Sequence, residues 1–335
     1  MRCLAFADGL SRHKSISRFL IKSFEPQVAD LIRAHGFSVD EIASDSSVEE
    51  DVHLTRATSL KHHASLIVTD LCTRPAVANR YDLDRYHYLL SRGLTVLGLA
   101  GGEFLDLPAT IVVYPYIRTN FSGRKADSAC LQLVGPEYYI FRREFIEAAG
   151  ALRIIKTRAQ RVLVTIGGGD AFYLSAKVIA AISKLSLPGL SLRVVIGPAY
   201  SESLKRQIRS LHAGFSGEYE ILDHNTNMAD AMLWADLAIT GDGLTKYEAA
   251  VTGTPVLILS RPDSEPRIND EFERAGSSRH LGDGTVISTD ALTDSIAQLL
   301  GDYGTRQAMS HRGQAMVDGN GLERILAAIS GIISE

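Results

Sequence analysis

The segment that decides the fold class is Val162-Leu163-Val164-Thr165-Ile166-Gly167-Gly168-Gly169-Asp170, after which a helical pattern begins near residue 171. A continuous apolar run is typical of a parallel strand that is covered on both faces. Glycines at its end allow a tight turn, and backbone N–H groups there can approach an anion at the N-terminus of the next helix. The segment therefore predicts an α/β unit with phosphate contacts at Gly167, Gly168, Gly169 and Asp170. The alternative is a tight strand–helix turn without a ligand.

The spacing of these glycines does not fit two familiar nucleotide motifs. No Gly-Lys-Ser/Thr follows the loop, so it is not a Walker loop. The dinucleotide pattern is incomplete, because position 172 is Phe and the next strand ends at Ile196-Gly197 without an acid for a ribose. Bound NAD is therefore not expected, and no cofactor is predicted.

Strand and helix patterns alternate on both sides of this segment. Strands are predicted at residues 65–70, 94–100, 110–114, 161–165, 191–196, 220–222, 237–240 and 255–259. Helices are predicted at residues 1–10, 26–35, 142–149, 171–183, 201–211, 228–235, 245–252, 290–299 and 321–333. Such alternation is typical of α/β folds with mostly parallel sheets. Residues 121–155 interrupt it and are interpreted as the join between two similar halves.

Composition limits the classes of protein that this chain can represent. Its 335 residues suggest about two domains, and 45% hydrophobic residues exclude a disordered chain. The net charge of −4 argues against nucleic acid as the main partner, and no apolar run has the length of a membrane helix. The three cysteines form no disulfide framework, and no signal peptide is visible. We expect a cytoplasmic protein that is not integral to a membrane.

A second glycine-bearing turn follows the predicted strand at residues 237–240. The chain there reads Gly241-Asp242-Gly243-Leu244-Thr245-Lys246-Tyr247-Glu248. Thr245 can cap the helix that starts here or bond a phosphate, next to backbone N–H groups of Gly243 and Leu244. Glu248 can accept hydrogen bonds from the two hydroxyls of a ribose. The alternative for Glu248 is a first-turn acid that favours the helix dipole.

This turn resembles the nucleotide-sugar site of the GT-B superfamily, whose pattern is Ala-Gly-Gly-Ser-Thr-x-x-Glu followed by Gly-x-Pro, here Gly253-Thr254-Pro255. Four more segments resemble the UDP-sugar hydrolases of pseudaminic acid biosynthesis and the related spore-coat polysaccharide proteins. These segments are Met1-Arg2-Cys3-Leu4, Leu133-Val134-Gly135-Pro136-Glu137-Tyr138 with Arg142-Arg143-Glu144-Phe145, Thr165-Ile166-Gly167-Gly168-Gly169-Asp170, and Asp318-Gly319-Asn320-Gly321-Leu322-Glu323-Arg324-Ile325.

The resemblance implies a GT-B fold with two Rossmann-like domains facing a cleft. Residues 1–147 would form the sugar or acceptor domain, residues 148–320 the nucleotide domain, and residues 321–335 a C-terminal helix. UDP would place its diphosphate on the two glycine loops and its ribose on Glu248. The uracil would lie near Gly197 and Met228. The partner implied is a small UDP-sugar; the oligomeric state stays open.

The chain departs from the family pattern mainly in the segments that would carry the catalytic residues. The family's Gly-x-Gly-His loop, whose His activates water, would precede Met1, so the first strand and this loop are expected to be missing. The family's Asp-x-Tyr appears as Asp70-Leu71-Cys72, and its Ile-Asp-Asp as Leu99-Ala100-Gly101. Asp70 and His13 are the catalytic candidates that remain. Asp242 replaces a glycine and would repel a diphosphate unless Lys246 or a cation offsets its charge.

Three functions are consistent with these residues. The first is a UDP-sugar hydrolase of nonulosonate or surface-polysaccharide synthesis, in which water attacks the anomeric carbon and UDP leaves. The second is a GT-B glycosyltransferase that uses a UDP-sugar donor, and the third is a catalytically degenerate nucleotide-sugar-binding protein. No metal site is predicted, because His62-His63 lack further ligands and Asp82-Leu83-Asp84 fits an exposed helix start.

Overall fold

The computed structural model describes residues 2–22, 26–71, 80–100, 107–117, 130–212, 214–223, 226–262 and 266–333. The first part of the chain contains α1 (Arg2–Arg12), β1 (Arg18–Ile21), α2 (Pro26–Ala34), β2 (Ser38–Glu41), α3 (Val48–Lys61), β3 (Ile67–Thr69), α4 (Arg80–Leu90), β4 (Val96–Leu99), β5 (Ile111–Tyr114), β6 (Leu131–Val134) and α5 (Arg143–Ala148). A short 3-10 turn, Pro136–Tyr138, follows β6.

The second part follows the same alternation of strands and helices. It contains β7 (Arg161–Thr165), α6 (Leu174–Ser183), β8 (Ser191–Val195), α7 (Glu202–His212), β9 (Glu218–Leu222), α8 (Met228–Trp234), β10 (Leu237–Gly241), α9 (Thr245–Val251), β11 (Val256–Ser260), α10 (Pro266–Arg274), β12 (Arg279–Asp283), α11 (Thr289–Gly301), α12 (Tyr303–Met316) and α13 (Gly321–Ile333).

The described residues divide into two compact units. The N-terminal unit comprises Met1–Tyr116, Asn120–Arg143 and Asn320–Glu335, and the C-terminal unit comprises Ile117–Thr119 and Glu144–Gly319. The helix α13 therefore belongs to the N-terminal unit although it lies at the end of the sequence. Residues 121–155 were interpreted as a join between two halves. Their described part contains β6, which is a strand of the N-terminal sheet, so this segment is not only a connection.

The C-terminal unit is built on one six-stranded parallel sheet. Its strand order is β12-β11-β10-β7-β8-β9, and all neighbouring strands run parallel. This is the doubly wound order, in which the chain first moves outward from β7 through β8 to β9 and then returns to β10. Ligands of such sheets bind at the carboxyl ends of the strands where the order reverses, which is here between β7 and β10.

The N-terminal unit contains two parallel sheets within the described residues. One pairs β1 with β2, and the other has the order β3-β4-β5-β6. Successive side chains of the four-stranded sheet point to opposite faces, so Leu97 and Ile111 pack with α1 and α13, and Val96 and Val112 pack with α3 and α4. Both faces of this sheet are therefore covered by helices, as predicted from its apolar strands.

All eight predicted strands correspond to strands of the structure, and the α/β class with parallel sheets is confirmed. Four further strands were not predicted: β1, β2, β6 and β12. Each has only four or five residues and lies at most partly buried, apart from Leu133 of β6. The sequences of β2, β6 and β12 have no run of three apolar residues, whereas β1 contains the apolar residues Phe19-Leu20-Ile21 and was still not predicted.

None of the described helices is both long and apolar enough to span a membrane.

Candidate functional site

The two glycine loops meet at the reversal point of the C-terminal sheet. We name residues 166–170 the first glycine loop and residues 241–244 the second glycine loop. Thr165 of β7 and Thr240 of β10 are paired across the sheet, so both loops leave the same edge side by side. A Cβ atom added to Gly241 would lie 2.8 Å from the carbonyl oxygen of Ile166. The two loops therefore touch through their backbones, and only glycine fits at position 241.

The loop after β8 packs against the first glycine loop in the same way. A Cβ atom on Gly197 would lie 2.4 Å from the carbonyl oxygen of Gly167 and 2.5 Å from that of Gly168. The N–H of Ala199 donates to the Gly168 carbonyl over 2.9 Å. Gly167 itself has a φ of +100°, a conformation that favours glycine. Gly197 is thus required for the shape of the loop.

The outer sides of both loops are open. Added Cβ atoms at Gly167, Gly168 and Gly243 would meet no heavy atom within 4 Å. A ligand can therefore approach the backbone of these residues closely, as phosphate binding by a glycine loop requires.

Asp170 caps a helix in this structure. It is buried, and its Oδ1 accepts a hydrogen bond of 2.8 Å from the Leu174 N–H. Its Oδ2 accepts from the N–H of Ser175 at 2.8 Å and from the Ser175 hydroxyl at 2.6 Å. The carboxylate thus occupies the positive end of the α6 dipole and fixes the exit of the first glycine loop. A direct phosphate contact of Asp170 stays a prediction, and an already satisfied anion is a poor group for it.

The charge of Asp242 is offset by Arg261. The Arg261 N–H donates to Oδ2 of Asp242, and the Arg261 Nε to Oδ1, each over 3.2 Å. Lys246 instead donates from Nζ to the carbonyl oxygen of Asp242 over 2.8 Å and to Asn269 Oδ1 over 2.7 Å. Burial lowers the pKa of Lys246 to about 8, although the nearby Asp242 acts against this shift. The expected repulsion by Asp242 is therefore reduced by an arginine at the end of β11.

The remaining nucleotide candidates lie at the starts of α8 and α9. Leu244 precedes α9, is 45% exposed and provides no side-chain cap for that helix. Thr245 and Glu248 are half-buried in the first turn of α9, and Met228 is the half-buried first residue of α8. These positions, together with Gly197 at the end of β8, surround the carboxyl edge of the sheet. Contacts of these residues with ribose and uracil stay predictions.

Comparisons with known proteins show what this chain is similar to. Residues 161–318 match the glycosyltransferase family 28 C-terminal domain. The chain is 28% identical over 204 residues to the spore coat polysaccharide biosynthesis protein SpsG of Bacillus subtilis (strain 168). This match covers 60% of the chain and 58% of that protein. MurG of Acinetobacter baumannii superposes with a TM-score of 0.71 at 16% identity, covering 98% of this chain and 95% of its own. The chain has the GT-B fold.

A second solved structure of similar fold is the UDP-GlcNAc 2-epimerase of Neisseria meningitidis bound to UDP-GlcNAc. It has a TM-score of 0.62 at 12% identity, covering 98% of this chain and 96% of its own. At these identities the structural likenesses establish the fold, and they confirm the expected GT-B architecture. The chain spans about half the length of the curated relatives that it matches.

In the N-terminal unit, Asp70 is held by Arg2. The guanidinium donates from Nε to Oδ2 over 2.8 Å and from Nη2 to Oδ1 over 2.6 Å, and it also donates to Tyr116 Oη over 2.7 Å. The Cys3 thiol donates to Asp70 Oδ2 over 3.4 Å. Burial would raise the pKa of Asp70, but the bonds and charge of Arg2 outweigh it and lower the pKa. A carboxylate of lowered pKa in a bidentate ion pair is a weak general base.

The other candidate, His13, lies beyond the end of α1. Its Nε2 is 3.1 Å from Glu323 Oε2 of α13, and half of its side chain is exposed. The structure therefore does not bring His13 and Asp70 into contact with each other. His62 and His63 are exposed, and no cluster of metal-ligating side chains occurs among the residues that the structure describes. Cys72, Gly101 and the side chains of Asp82 and Asp84 lie outside the described residues.

Sequence reasoning missed a chain of hydrogen bonds behind the second glycine loop. It starts at Lys246 and continues through Asn269, Ser260 and His280 to Asp270. These five residues come from four elements, α9, α10, β11 and β12. Their spacing in the sequence matches no motif, so no sequence signal could have assembled them.

Proposed function

We propose that this GT-B protein is a glycosyltransferase that uses a UDP-sugar donor in the synthesis of a surface polysaccharide. The observation that carries the proposal is the pair of glycine loops in backbone contact at the reversal point of the C-terminal sheet. The match to the glycosyltransferase family 28 C-terminal domain, and the polysaccharide role in the name of its Bacillus relative, support transfer. No relative reported above is named a hydrolase, so hydrolysis is the less supported alternative.

The residues of the C-terminal unit have distinct roles in this proposal. The diphosphate lies on the open backbone of Gly167, Gly168 and Gly243, where N–H groups point at its oxygens. Glu248 accepts hydrogen bonds from the ribose hydroxyls, and the uracil lies between Gly197 and Met228. Two solved structures of similar fold support the choice of nucleotide, since one contains UDP-GlcNAc and another contains UDP.

The reaction requires little covalent chemistry from these loops. An acceptor hydroxyl attacks the anomeric carbon of the sugar, the bond from that carbon to the diphosphate oxygen breaks, and the proton of the hydroxyl is lost. UDP leaves with the electron pair. Backbone N–H groups of the two loops stabilise the negative charge that develops on the diphosphate, and they are already oriented before the reaction.

Calorimetry with UDP tests the nucleotide site first. The wild-type protein should bind UDP, and Glu248→Ala should weaken binding about tenfold, because two hydrogen bonds to a carboxylate are lost. The matched control is Glu273→Ala, which removes an exposed glutamate on α10 of the same unit and should leave the affinity unchanged. Equal affinity of Glu248→Ala and wild type would remove Glu248 from the site.

Incubation with UDP-sugars then separates the candidate activities. A transferase releases UDP quickly only when a hydroxyl acceptor is present, whereas a hydrolase releases it with water alone. Binding of UDP without turnover of any UDP-sugar, with or without acceptor, would favour the degenerate binding protein. Failure of the wild-type protein to bind any nucleotide would contradict the proposal.

A further inference from the structure

A buried lysine lies directly behind the second glycine loop. Lys246 is on the first turn of α9, and only 3% of it is exposed. Its ammonium group donates to the Asp242 carbonyl and to Asn269 Oδ1, and it lies 5.5 Å from the centre of the Phe272 ring. Burying an ammonium group is costly unless strong acceptors compensate it. The position of Lys246 therefore depends on these two acceptors.

The acceptor Asn269 is itself held by a chain of hydrogen bonds. Its Nδ2 donates to Ser260 Oγ over 3.0 Å, and the same hydroxyl lies 2.6 Å from His280 Nε2. His280 Nδ1 in turn lies 2.8 Å from Asp270 Oδ1. The chain thus fixes the orientation of the Asn269 amide, with its oxygen towards Lys246.

The Ser260, His280 and Asp270 contacts have the order of a nucleophilic triad, but they do not form an active site. Ser260 is 4% exposed, and its oxygen already accepts from Asn269. The carboxylate of Asp270 lies at the exposed end of the chain, with 42% of its side chain accessible. A substrate cannot reach the serine oxygen. The hydrogen-bond chain can therefore affect a ligand only through Lys246, which lies at its other end.

The bond from Lys246 to the Asp242 carbonyl sets the direction of the next N–H group. In a planar trans peptide, the C=O of one residue and the N–H of the following residue point in opposite directions. The Asp242 carbonyl points inward to Lys246, so the N–H of Gly243 points outward. Gly243 is exposed, and a Cβ atom added to it would meet no heavy atom within 4 Å. Lys246 therefore aims one backbone donor of the second glycine loop at the space where a ligand would lie.

We propose that Lys246 is a positioning residue of the second glycine loop, which orients the Gly243 N–H towards the diphosphate of a bound nucleotide and is itself held by the chain from Asn269 to Asp270. This inference rests on the proposed nucleotide site. It differs from a direct contact, because Lys246 does not reach the ligand through its side chain. Its positive charge, one peptide away, adds attraction for the diphosphate.

The test compares Lys246→Met with Lys177→Met in calorimetry with UDP and with uridine. Lys177 is the matched control, because its Nζ also makes two hydrogen bonds, here to the backbone carbonyls of Gly284 at 2.8 Å and Thr285 at 3.0 Å. Lys246→Met should weaken UDP binding about 10-fold to 100-fold and change uridine binding less than twofold. Lys177→Met should change neither. Equal losses for UDP and uridine, or wild-type affinity in Lys246→Met, would overturn the positioning role.

The pH dependence of UDP binding supplies a second test, because a purely structural role of Lys246 would not change it. Wild-type UDP affinity should fall as the pH rises past about 8, where Lys246 loses its proton, and the profile should be flat in Lys246→Met. The charged and titratable groups around Lys246 are Asp242 with its partner Arg261, and His280 with Asp270 at the far end of the hydrogen-bond chain. A wild-type profile that is flat from pH 7 to pH 9 would contradict the inference.

Failure of the proposed function can be distinguished from failure of the positioning role. If wild-type protein binds no UDP, the proposed function fails, and hydrogen exchange at residues 241–244 decides the positioning alone. Faster exchange in Lys246→Met than in Lys177→Met then supports it, and equal exchange overturns it. If Lys246→Met does not fold, Asn269→Leu replaces it, with the same expected loss of UDP affinity.

Discussion

The two units of the molecule hold the ends of their parallel strands by different means. In the C-terminal unit the strand ends are in backbone contact, because Gly197 and Gly241 allow carbonyl oxygens to approach within distances that a side chain would block. In the N-terminal unit one guanidinium, that of Arg2, bonds Asp70, Tyr116 and the carbonyl oxygens of Leu99 and Ala100. Backbone contact leaves N–H groups available for a ligand, whereas an ion pair consumes the polar groups that it joins.

The largest expected effect concerns the backbone contacts of the C-terminal unit. Gly197→Val would place a Cβ atom 2.4 Å from the Gly167 carbonyl oxygen and 2.5 Å from that of Gly168, both of them backbone atoms with little freedom to move. We expect a loss of at least about 3 kcal/mol in the free energy of unfolding, measured by urea denaturation.

Gly243→Ala is the control, since its Cβ atom would enter open space. Its stability should stay within about 1 kcal/mol of wild type, because neither a clash nor a positive φ opposes alanine there. UDP affinity should nevertheless fall, because the methyl group keeps the diphosphate from the backbone. If Gly197→Val proves as stable as Gly243→Ala, backbone contact is not what holds the loops.

The next effect is the pH dependence that Lys246 adds to the stability of the C-terminal unit. Burial lowers its pKa from 10.5 to about 8. Between these values the unfolded chain binds more protons than the folded one, so the stability rises with pH as the buried cation becomes neutral. We expect a gain of about 2 to 3 kcal/mol between pH 8 and pH 10.5 relative to Lys246→Met. The difference between the two denaturation profiles measures it, and parallel profiles would contradict it.

The sequence predicted the C-terminal unit better than the N-terminal one for physical reasons. The strand at residues 161–165 was predicted with its observed bounds, because a central strand is apolar along its whole length. The strand β2, whose sequence is Ser-Val-Asp-Glu, carries no such signal and is stabilised by pairing with β1. Propensity and periodicity describe a segment alone, whereas its partner decides such short strands.

The candidate site shows the same limit. Glycines at the ends of strands were recognisable, since the turn needs them locally. From the sequence, Asp170 was predicted as a phosphate contact and Asp242 as a charge that repels the diphosphate. The capping role of Asp170 and the pairing of Asp242 with Arg261 depend on which groups the fold brings near, so neither could be predicted from the sequence. Acidic residues beside a phosphate loop are acceptable when the fold satisfies them with other partners.

A smaller effect is expected from the ion pair of the N-terminal unit. Asp70→Asn keeps the shape of the side chain but removes its charge, leaving the Arg2 guanidinium partly buried beside a neutral amide. We expect a loss of about 2 kcal/mol near pH 7, less than for a fully buried pair because both side chains retain some exposure. Because the folded pKa of Asp70 is lowered, the stability it contributes is present above about pH 4 and is lost as the pH falls further.

Urea denaturation at pH 7 and pH 3 checks this expectation. The stabilities of wild type and Asp70→Asn should converge on acidification. The same variant tests Asp70 as a catalytic base. If Asp70 only stabilises the strand ends through its ion pair with Arg2, the rate of UDP release per folded molecule should be unchanged. A loss of turnover in fully folded Asp70→Asn would restore it as a base.

The smallest expected effect is at His13, the other catalytic candidate of the N-terminal unit. Its contact with Glu323 joins two half-exposed side chains, and such pairs contribute about 0.5 kcal/mol or less. The free energy of unfolding of His13→Ala should therefore lie within that margin of the wild-type value. The variant should also release UDP from a UDP-sugar at an unchanged rate. Glu323→Gln is the matched variant, since it weakens the pair and keeps the imidazole. A loss of activity in His13→Ala but not in Glu323→Gln would assign the imidazole a chemical role and would show that the N-terminal unit contributes more than a scaffold.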